Sequence, residues 1–182
     1  LEARKIGRIG ERGRMQNAKD TFYMTLQSRL AALNPARTIV LRGAVRPGVL
    51  VVENELPVAA IPVDAFRLEW TGLQVNSAGP LPLTTLECLI QYATDGSAGS
   101  AGMDRGRKLA GMDAELASAL AAEPQSVLKM NYAAASGAIA ATAMATNVFW
   151  ADPVFQPAIA VGERLERTVV VQVFAYQEAG EL

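Results

Sequence analysis

The stretch Thr84-Thr85-Leu86-Glu87-Cys88-Leu89-Ile90-Gln91-Tyr92-Ala93 decides the fold. Leu86, Cys88, Ile90 and Tyr92 fall on one side of an alternating pattern, and Thr85, Glu87 and Gln91 fall on the other. Side chains alternate across a strand, so this pattern predicts a β-strand with one face turned to a core. Cys88 sits on the apolar side and reads as a core residue, since a reactive thiol needs solvent and a nearby cation. Working outward, Phe66, Leu68 and Trp70 alternate with Arg67, Glu69 and Thr71, which predicts another strand with one wet face. After Gly72 the apolar parity moves to Leu73 and Val75, predicting a bulge or sharp bend. On the far side, Thr168 to Tyr176 sets Val169, Val171 and Val173 against Val170, Gln172 and Phe174. Apolar residues on both faces predict a strand that is central or buried between layers.

Further out, Thr38-Ile39-Val40-Leu41-Arg42 and Val49-Leu50-Val51-Val52-Glu53 read as strands joined by a turn at Arg46-Pro47-Gly48. Pro57 and Pro62 punctuate the next connection. A helix is predicted over 18–33, with Phe22, Leu26, Leu30 and Leu33 on one stripe, Asn17 as N-cap and Asn34-Pro35 as the stop. A second is predicted over 104–121, with stripe Leu109, Met112, Leu116 and Leu120, Asp104 as cap and Pro124 beyond its end. Leu86, Ile90, Leu109, Leu116 and Val171 are the expected core positions.

The C-terminal third is less regular. Val127 to Tyr132 reads as a strand and Val148-Phe149-Trp150 as a short apolar run, with Asp152-Pro153 and Gln156-Pro157 breaking the chain. Between Lys129 and Asp152 no residue is charged, yet alanine, serine, threonine and glycine dominate. That composition is too weakly apolar for a membrane span and reads as a small-residue loop or arm. Strands between two helices, with no alternating strand-helix rhythm and no internal repeat, predict an α+β fold: a mainly antiparallel sheet packed against two helices, with an irregular Ala-rich insert before the last strand. The expected organisation is a basic flexible tail over 1–14, bearing Arg4, Lys5, Arg8, Arg12 and Arg14, then one domain over 15–182 with an insert or arm at about 130–160.

Composition narrows the function. The chain has 182 residues, no histidine, one cysteine and a formal net charge of −1. Without histidine there is no imidazole base, no His-dependent triad and no imidazole metal ligand. One cysteine excludes an internal disulfide and a thiolate zinc cluster. The near-neutral balance predicts no general attraction to nucleic acid or to an anionic membrane. A hydrophobic fraction of 51% against 19% charged residues supplies a proper core.

Two constellations carry possible chemistry. Gly96-Ser97-Ala98-Gly99-Ser100-Ala101-Gly102 lies between a strand and a helix, where phosphate-binding loops sit, so a phosphate- or nucleotide-binding module is the alternative reading. Its Gly-x-x-Gly-x-x-Gly spacing matches neither the dinucleotide fingerprint nor the P-loop, and Asp95 and Asp104 bring negative charge to the place a phosphate would take. Asp104, Asp113 and Glu115 would be the carboxylates of a hydrolase, but Asp113 and Glu115 are two apart and do not share a helix face. No catalytic residue, metal or cofactor is assigned. The cations Arg46, Arg105, Arg107, Lys108, Arg164 and Arg167 are dispersed and read as a solvated face or as a match to an acidic neighbour.

The order of elements, together with Tyr92-Ala93-Thr94-Asp95-Gly96, Gly102-Met103-Asp104-Arg105-Gly106-Arg107 and Met112-Asp113-Ala114-Glu115-Leu116, resembles the tail-terminator (tail-completion) proteins of long-tailed phages and phage-like particles. The resemblance runs over roughly 15–176 and is one of order and texture. It implies a small subunit that forms a ring, commonly a hexamer, capping the tail tube and meeting neck or connector proteins. It further implies a virion location in the tail or neck, assembly in the bacterial host cytoplasm, and no catalysis. Interface positions expected on this basis are Arg46, Asp95, Asp104, Arg105, Arg107, Lys108, Ala138, Ile139 and Met144. The uncharged insert and basic tail exceed the family's minimal pattern, which leaves room for another structural role in a neck or baseplate.

Overall fold

A computed structural model describes residues 15–55, 61–133, 135, 139–179 and 181. The predicted tail at 1–14, the break at Pro57 and the interface position Ala138 lie outside the described residues. In chain order the elements are α1 (Gln16–Leu33), β1 (Thr38–Leu41), β2 (Ala44–Pro47), β3 (Val49–Val51), α2 (Val52–Glu55), β4 (Phe66–Asn76), β5 (Leu83–Thr94), α3 (Arg105–Ala121), β6 (Ser126–Asn131), β7 (Thr142–Trp150), β8 (Val154–Phe155), β9 (Ile159–Val161) and β10 (Arg164–Tyr176). The main sheet runs β3-β4-β5-β10-β7-β6, with β8 and β9 also pairing with β10, and β1 and β2 form a separate hairpin. All pairs are antiparallel except β3 with β4. The fold is therefore α+β.

The deciding strand behaves as its pattern requires. Leu86, Cys88, Ile90 and Tyr92 of β5 are buried and share one core with Val169, Val171 and Val173 of β10 and with Phe22, Leu26, Leu109, Met112 and Leu116 of α1 and α3. Both long helices thus cover one face of the sheet. Each such Leu or Ile stabilises the fold by about 1.5–3 kcal/mol through burial alone. Phe22 is the aromatic hinge of the layer, packing edge-on against Trp70 and Trp150 at centroid distances of 5.8 and 5.5 Å. The Arg29 guanidinium donates to the carbonyls of Ala119, Ala122 and Pro124, placing a cation at the C-terminus of α3, where the helix dipole favours it. The register of β4 on β5 shifts between Trp70 and Gly72, so the parity change in the sequence is a bulge.

Several local expectations are corrected. The turn between the first two strands is at Arg42-Gly43, not Arg46-Pro47-Gly48: Leu41 pairs with Ala44, and both turn residues have positive φ, +50° and +79°. A two-residue hairpin loop needs such angles, whereas Pro47 simply ends β2. The strand begun at Val49 stops at Val51 and continues as the short helix α2. The first helix begins at Gln16 with Met15 in the capping place and no side-chain cap, so Asn17 is inside it. Leu33 lies on the stripe by angle but is exposed, because the last turn has passed the edge of the packed layer. The uncharged insert is also more ordered than expected, since Thr142 to Trp150 is a full strand between β6 and β10.

Candidate functional site

The glycine-rich segment folds onto the start of α3. Asp104 accepts hydrogen bonds from the Ser97 amide at 2.8 Å and from the Ser97 and Ser100 hydroxyls at 2.5 Å each. Those bonds, the Ser100 hydroxyl first and then the Ser97 groups, hold the Asp104 carboxyl well below its ordinary range. The loop's own donors, the Ser97 amide and the Ser97 and Ser100 hydroxyls, are thus taken up by the chain's own carboxylate. Asp104 does not cap α3 by its side chain, contrary to expectation; it closes the loop instead. Gly96 has φ +81°, and a Cβ there would meet Asp104 Oδ1 at 2.7 Å, which fixes glycine at that position.

The three carboxylates considered for hydrolysis do not converge. Asp113 accepts from the Tyr92 hydroxyl at 2.5 Å and forms a two-point contact with Arg167 at 2.9 and 3.2 Å. Burial and this carboxylate push the Tyr92 phenol up from its ordinary value. Glu115 faces elsewhere, accepting from Arg37 Nε and Nη2 at 2.8 Å each and from Asn34 at 2.9 Å. Burial works to raise the Glu115 carboxyl, but those donors outweigh it and hold it below its usual value. Each carboxylate is engaged in joining α3 to a different neighbour, and among the described residues no group of three or more Cys, Asp or Glu side chains could hold a metal.

The expectation that the chain contains no Ser-x-x-Lys pair, and so no lysine base for a serine nucleophile, is wrong: Ser126-Val127-Leu128-Lys129 carries that spacing. On β6 this spacing does not build a nucleophile and base, because the Lys129 ammonium is committed elsewhere. It is wholly buried and donates to Glu181 Oε2 at 2.7 Å and the Tyr176 carbonyl at 2.6 Å, with Glu178 at 3.3 Å. Glu178 in turn accepts from the Ala145 and Thr146 amides and the Thr146 hydroxyl. Burial opposes its ionisation, but these donors and Lys129 hold its carboxyl down at about 2. This ion cluster ties the C-terminal residues to β6 and β7. The absence of charge around Lys129 in the sequence was its only signal.

The expected interface positions divide. Arg105 donates to the Glu163 carbonyl and Lys108 to the Gly96 carbonyl, so both serve the loop's own structure. Asp95 lies 3.5 Å from Arg164, and Arg46 approaches the Tyr23 hydroxyl at 3.5 Å. Arg107 and Ile139 are exposed, and Met144 is half-buried on β7. Apolar exposure occurs at several places, among them Met103 and, around the end of β4, Leu73, Val75 and Leu81; two further groups lie on short strands, the first being Val40 and Val45, paired across the β1–β2 hairpin and 68% and 70% exposed. Val154, Ile159 and Val161 on β8 and β9 are also exposed. Neither group was singled out from sequence, because short β-branched runs read equally well as core.

No helix among the described residues is long and apolar enough to cross a membrane. No family model and no curated protein matches this sequence, so function is argued from the arrangement of these side chains.

Proposed function

We propose that this chain is a structural assembly subunit of a phage or phage-like particle, of the tail-terminator kind. In this proposal it forms a homo-oligomeric ring that caps the tail tube, joins it to the neck, and resides in the virion. The observation that carries the reading is where the exposed apolar side chains lie. Val40 and Val45 on the hairpin and Val154, Ile159 and Val161 on short strands at the margin of a helix-backed sheet are exposed, while Asp113, Glu115 and Lys129 are held by partners within the fold. Exposed apolar surface at margins is what an assembling subunit needs. The resemblance in element order supplies the particle and the ring.

The phosphate-loop alternative loses support from Asp104, whose carboxylate takes the Ser97 amide and the two loop hydroxyls that an anion would need and adds negative charge beside them. Mass photometry across micromolar concentrations, followed by negative-stain electron microscopy, tests the proposal. Closed annular particles are expected. A chain that stays monomeric throughout, with no annuli, would remove the ring.

A further inference from the structure

We propose that the subunits of this ring meet head to tail, the β1–β2 hairpin of one copy docking on the β8–β9 margin of the next. This rests on the assembly reading and names the contact that would make it.

The hairpin has two unlike faces. Ile39 and Leu41 are half-buried, and the hairpin leans on α1 through β2. Val40 and Val45, directly opposed in the register, point away from the body. The tip carries Arg42, exposed and with no side-chain partner among the described residues. At the other margin, Ile159 pairs with Glu166 and Val161 with Arg164, which places both apolar side chains on the sheet face that the helices leave open. Val154 joins them there through its pairing with Val170. The turn after β9 presents Glu163, whose backbone carbonyl is pinned by Arg105 while its exposed carboxylate has no partner among the described residues. The hairpin therefore holds exposed valines beside the unpartnered Arg42, and the β9 margin holds Ile159 and Val161 beside two carboxylates, Glu163 and Glu166, without partners among the described residues, so the charges are opposite in sign. That is charge complementarity between two different patches of the same chain.

Placement makes the match usable. The hairpin enters the main sheet through Gly48, whose amide donates to the Arg37 carbonyl just before β3. β3 is one terminal strand of the sheet, and β9 pairs only with β10, four strand steps away, or about 19 Å at the usual spacing. Val49, Phe66, Tyr92 and Arg167 lie level across β3, β4, β5 and β10, and Ile159 lies opposite Glu166, the next residue along β10. Both patches thus lie at the same end of the sheet on opposite margins. Unlike patches on opposite margins generate a heterologous contact, which closes into a ring when the rotation per step permits. A self-complementary patch would give a twofold dimer instead.

The two outer edges of the sheet differ. The free edge of β6 is covered within the subunit, since the Thr21 hydroxyl of α1 accepts from the Met130 amide at 2.9 Å and lies 3.4 Å from its carbonyl. Among the described residues nothing pairs with the second edge of β9, and its apolar side chains stay in solvent. At three residues and closely preceded by Pro157, β9 is a poor template for strand pairing, so the proposed contact is carried by its exposed side chains and not by its backbone edge.

The test uses two blocked forms of the full chain, Val40→Asp/Val45→Asp and Ile159→Asp/Val161→Asp, in sedimentation velocity. Each alone should be monomeric, and an equimolar mixture should give a heterodimer and nothing larger, because only one productive hairpin–margin contact remains. A charge series that leaves the apolar residues untouched keeps the result independent of folding. Arg42→Glu and Glu163→Arg should each weaken self-association about tenfold, and the double variant should return to within about threefold of the wild type. A mixture that stays monomeric, or a double reversal no better than the singles, would overturn the contact. Wild-type oligomers that tolerate both blocked forms would overturn it while leaving the ring intact. Wild-type chains that are only monomeric would remove the ring itself.

Discussion

Replacing Lys129 by methionine tests the ion cluster that closes the C-terminal end of the sheet. Methionine nearly matches the length of lysine and removes the charge and its donors. In the native protein the ammonium reaches Glu181 Oε2 at 2.7 Å, Glu178 Oε1 at 3.3 Å and the Tyr176 carbonyl at 2.6 Å. The Glu178 carboxylate keeps its Ala145 and Thr146 donors after the substitution, so the loss falls on Glu181. The Glu181 side chain is 2% exposed, its Oε1 has no partner, and Oε2 would retain only the Glu178 amide at 2.9 Å. Removing one member of a buried pair typically costs about 3–5 kcal/mol, because the remaining charge is left uncompensated. With a urea slope of about 2 kcal/mol/M for a chain of this size, the midpoint should fall by about 1.5–2.5 M. Urea melts followed by far-ultraviolet circular dichroism, at one protein concentration so that assembly does not shift the curves, measure this directly. Lys129→Met/Glu181→Leu replaces the pair by apolar groups and should regain more than half of the loss. A fall below about 0.5 M for the single variant, or a double variant less stable than the single, would mean that the cluster is solvated and the closure argument is wrong.

Leu116→Ala and Ile90→Ala each empty a fully buried site between α3 and the sheet and should cost about 2–5 kcal/mol in the same melts; losses below about 1 kcal/mol would contradict the packing described. Glu178 contributes a pH dependence whose sign follows from its carboxyl lying at about 2 when folded against an ordinary 4.5. A depressed carboxyl stabilises fully above its ordinary value, and the contribution fades as pH falls toward the folded value. The stability gap between wild type and Glu178→Gln should therefore be full near pH 6–7 and close between about pH 5 and pH 2; a constant gap would refute the hydrogen-bonded carboxylate. Gly96→Ala forces φ +81° on an L residue and drives a Cβ against Asp104, so thermal melts should show a Tm lower by several degrees. An unchanged Tm would show that the loop relaxes freely.

What could be read in the sequence depended on how much burial imposed a period. β5 alternates over its whole length because one face meets the core everywhere, and the bulge at Gly72 was visible because that alternation slipped by one. The stripe on α3 was legible for the same reason. Where burial does not alternate cleanly, the signal fails. Val49, Leu50 and Val51 are all buried, so nothing in their pattern marks the change to α2 at Val52. Thr142 to Trp150 mixes exposed and half-buried positions among small residues, and β7 was consequently hidden inside an apparent loop. The hairpin turn was misplaced because proline is a strong turn signal by composition, whereas Arg42 at φ +50° is an unusual residue for its conformation. The carboxylates gave no warning of their separate partners, since Arg37 and Arg167 lie far from them in sequence.

The charged side chains that α3 and the C-terminal end of the sheet bring inward are paired within the fold. Asp113 is held by Arg167 and Tyr92, Glu115 by Arg37 and Asn34, and Glu178 and Glu181 by Lys129. Each of these side chains joins its element to a neighbour through its partners. Arg42 and Glu163, like Arg107, Glu123 and Glu166, have no side-chain partner among the described residues, and each of the two lies beside exposed β-branched apolar side chains on a margin of the sheet. A solvated charge needs no partner, but an exposed valine pair and an uncovered edge strand carry a cost in water that a neighbouring copy would relieve. In the proposed assembly the hairpin and the β8–β9 margin are the surfaces on which a neighbouring copy would relieve that cost.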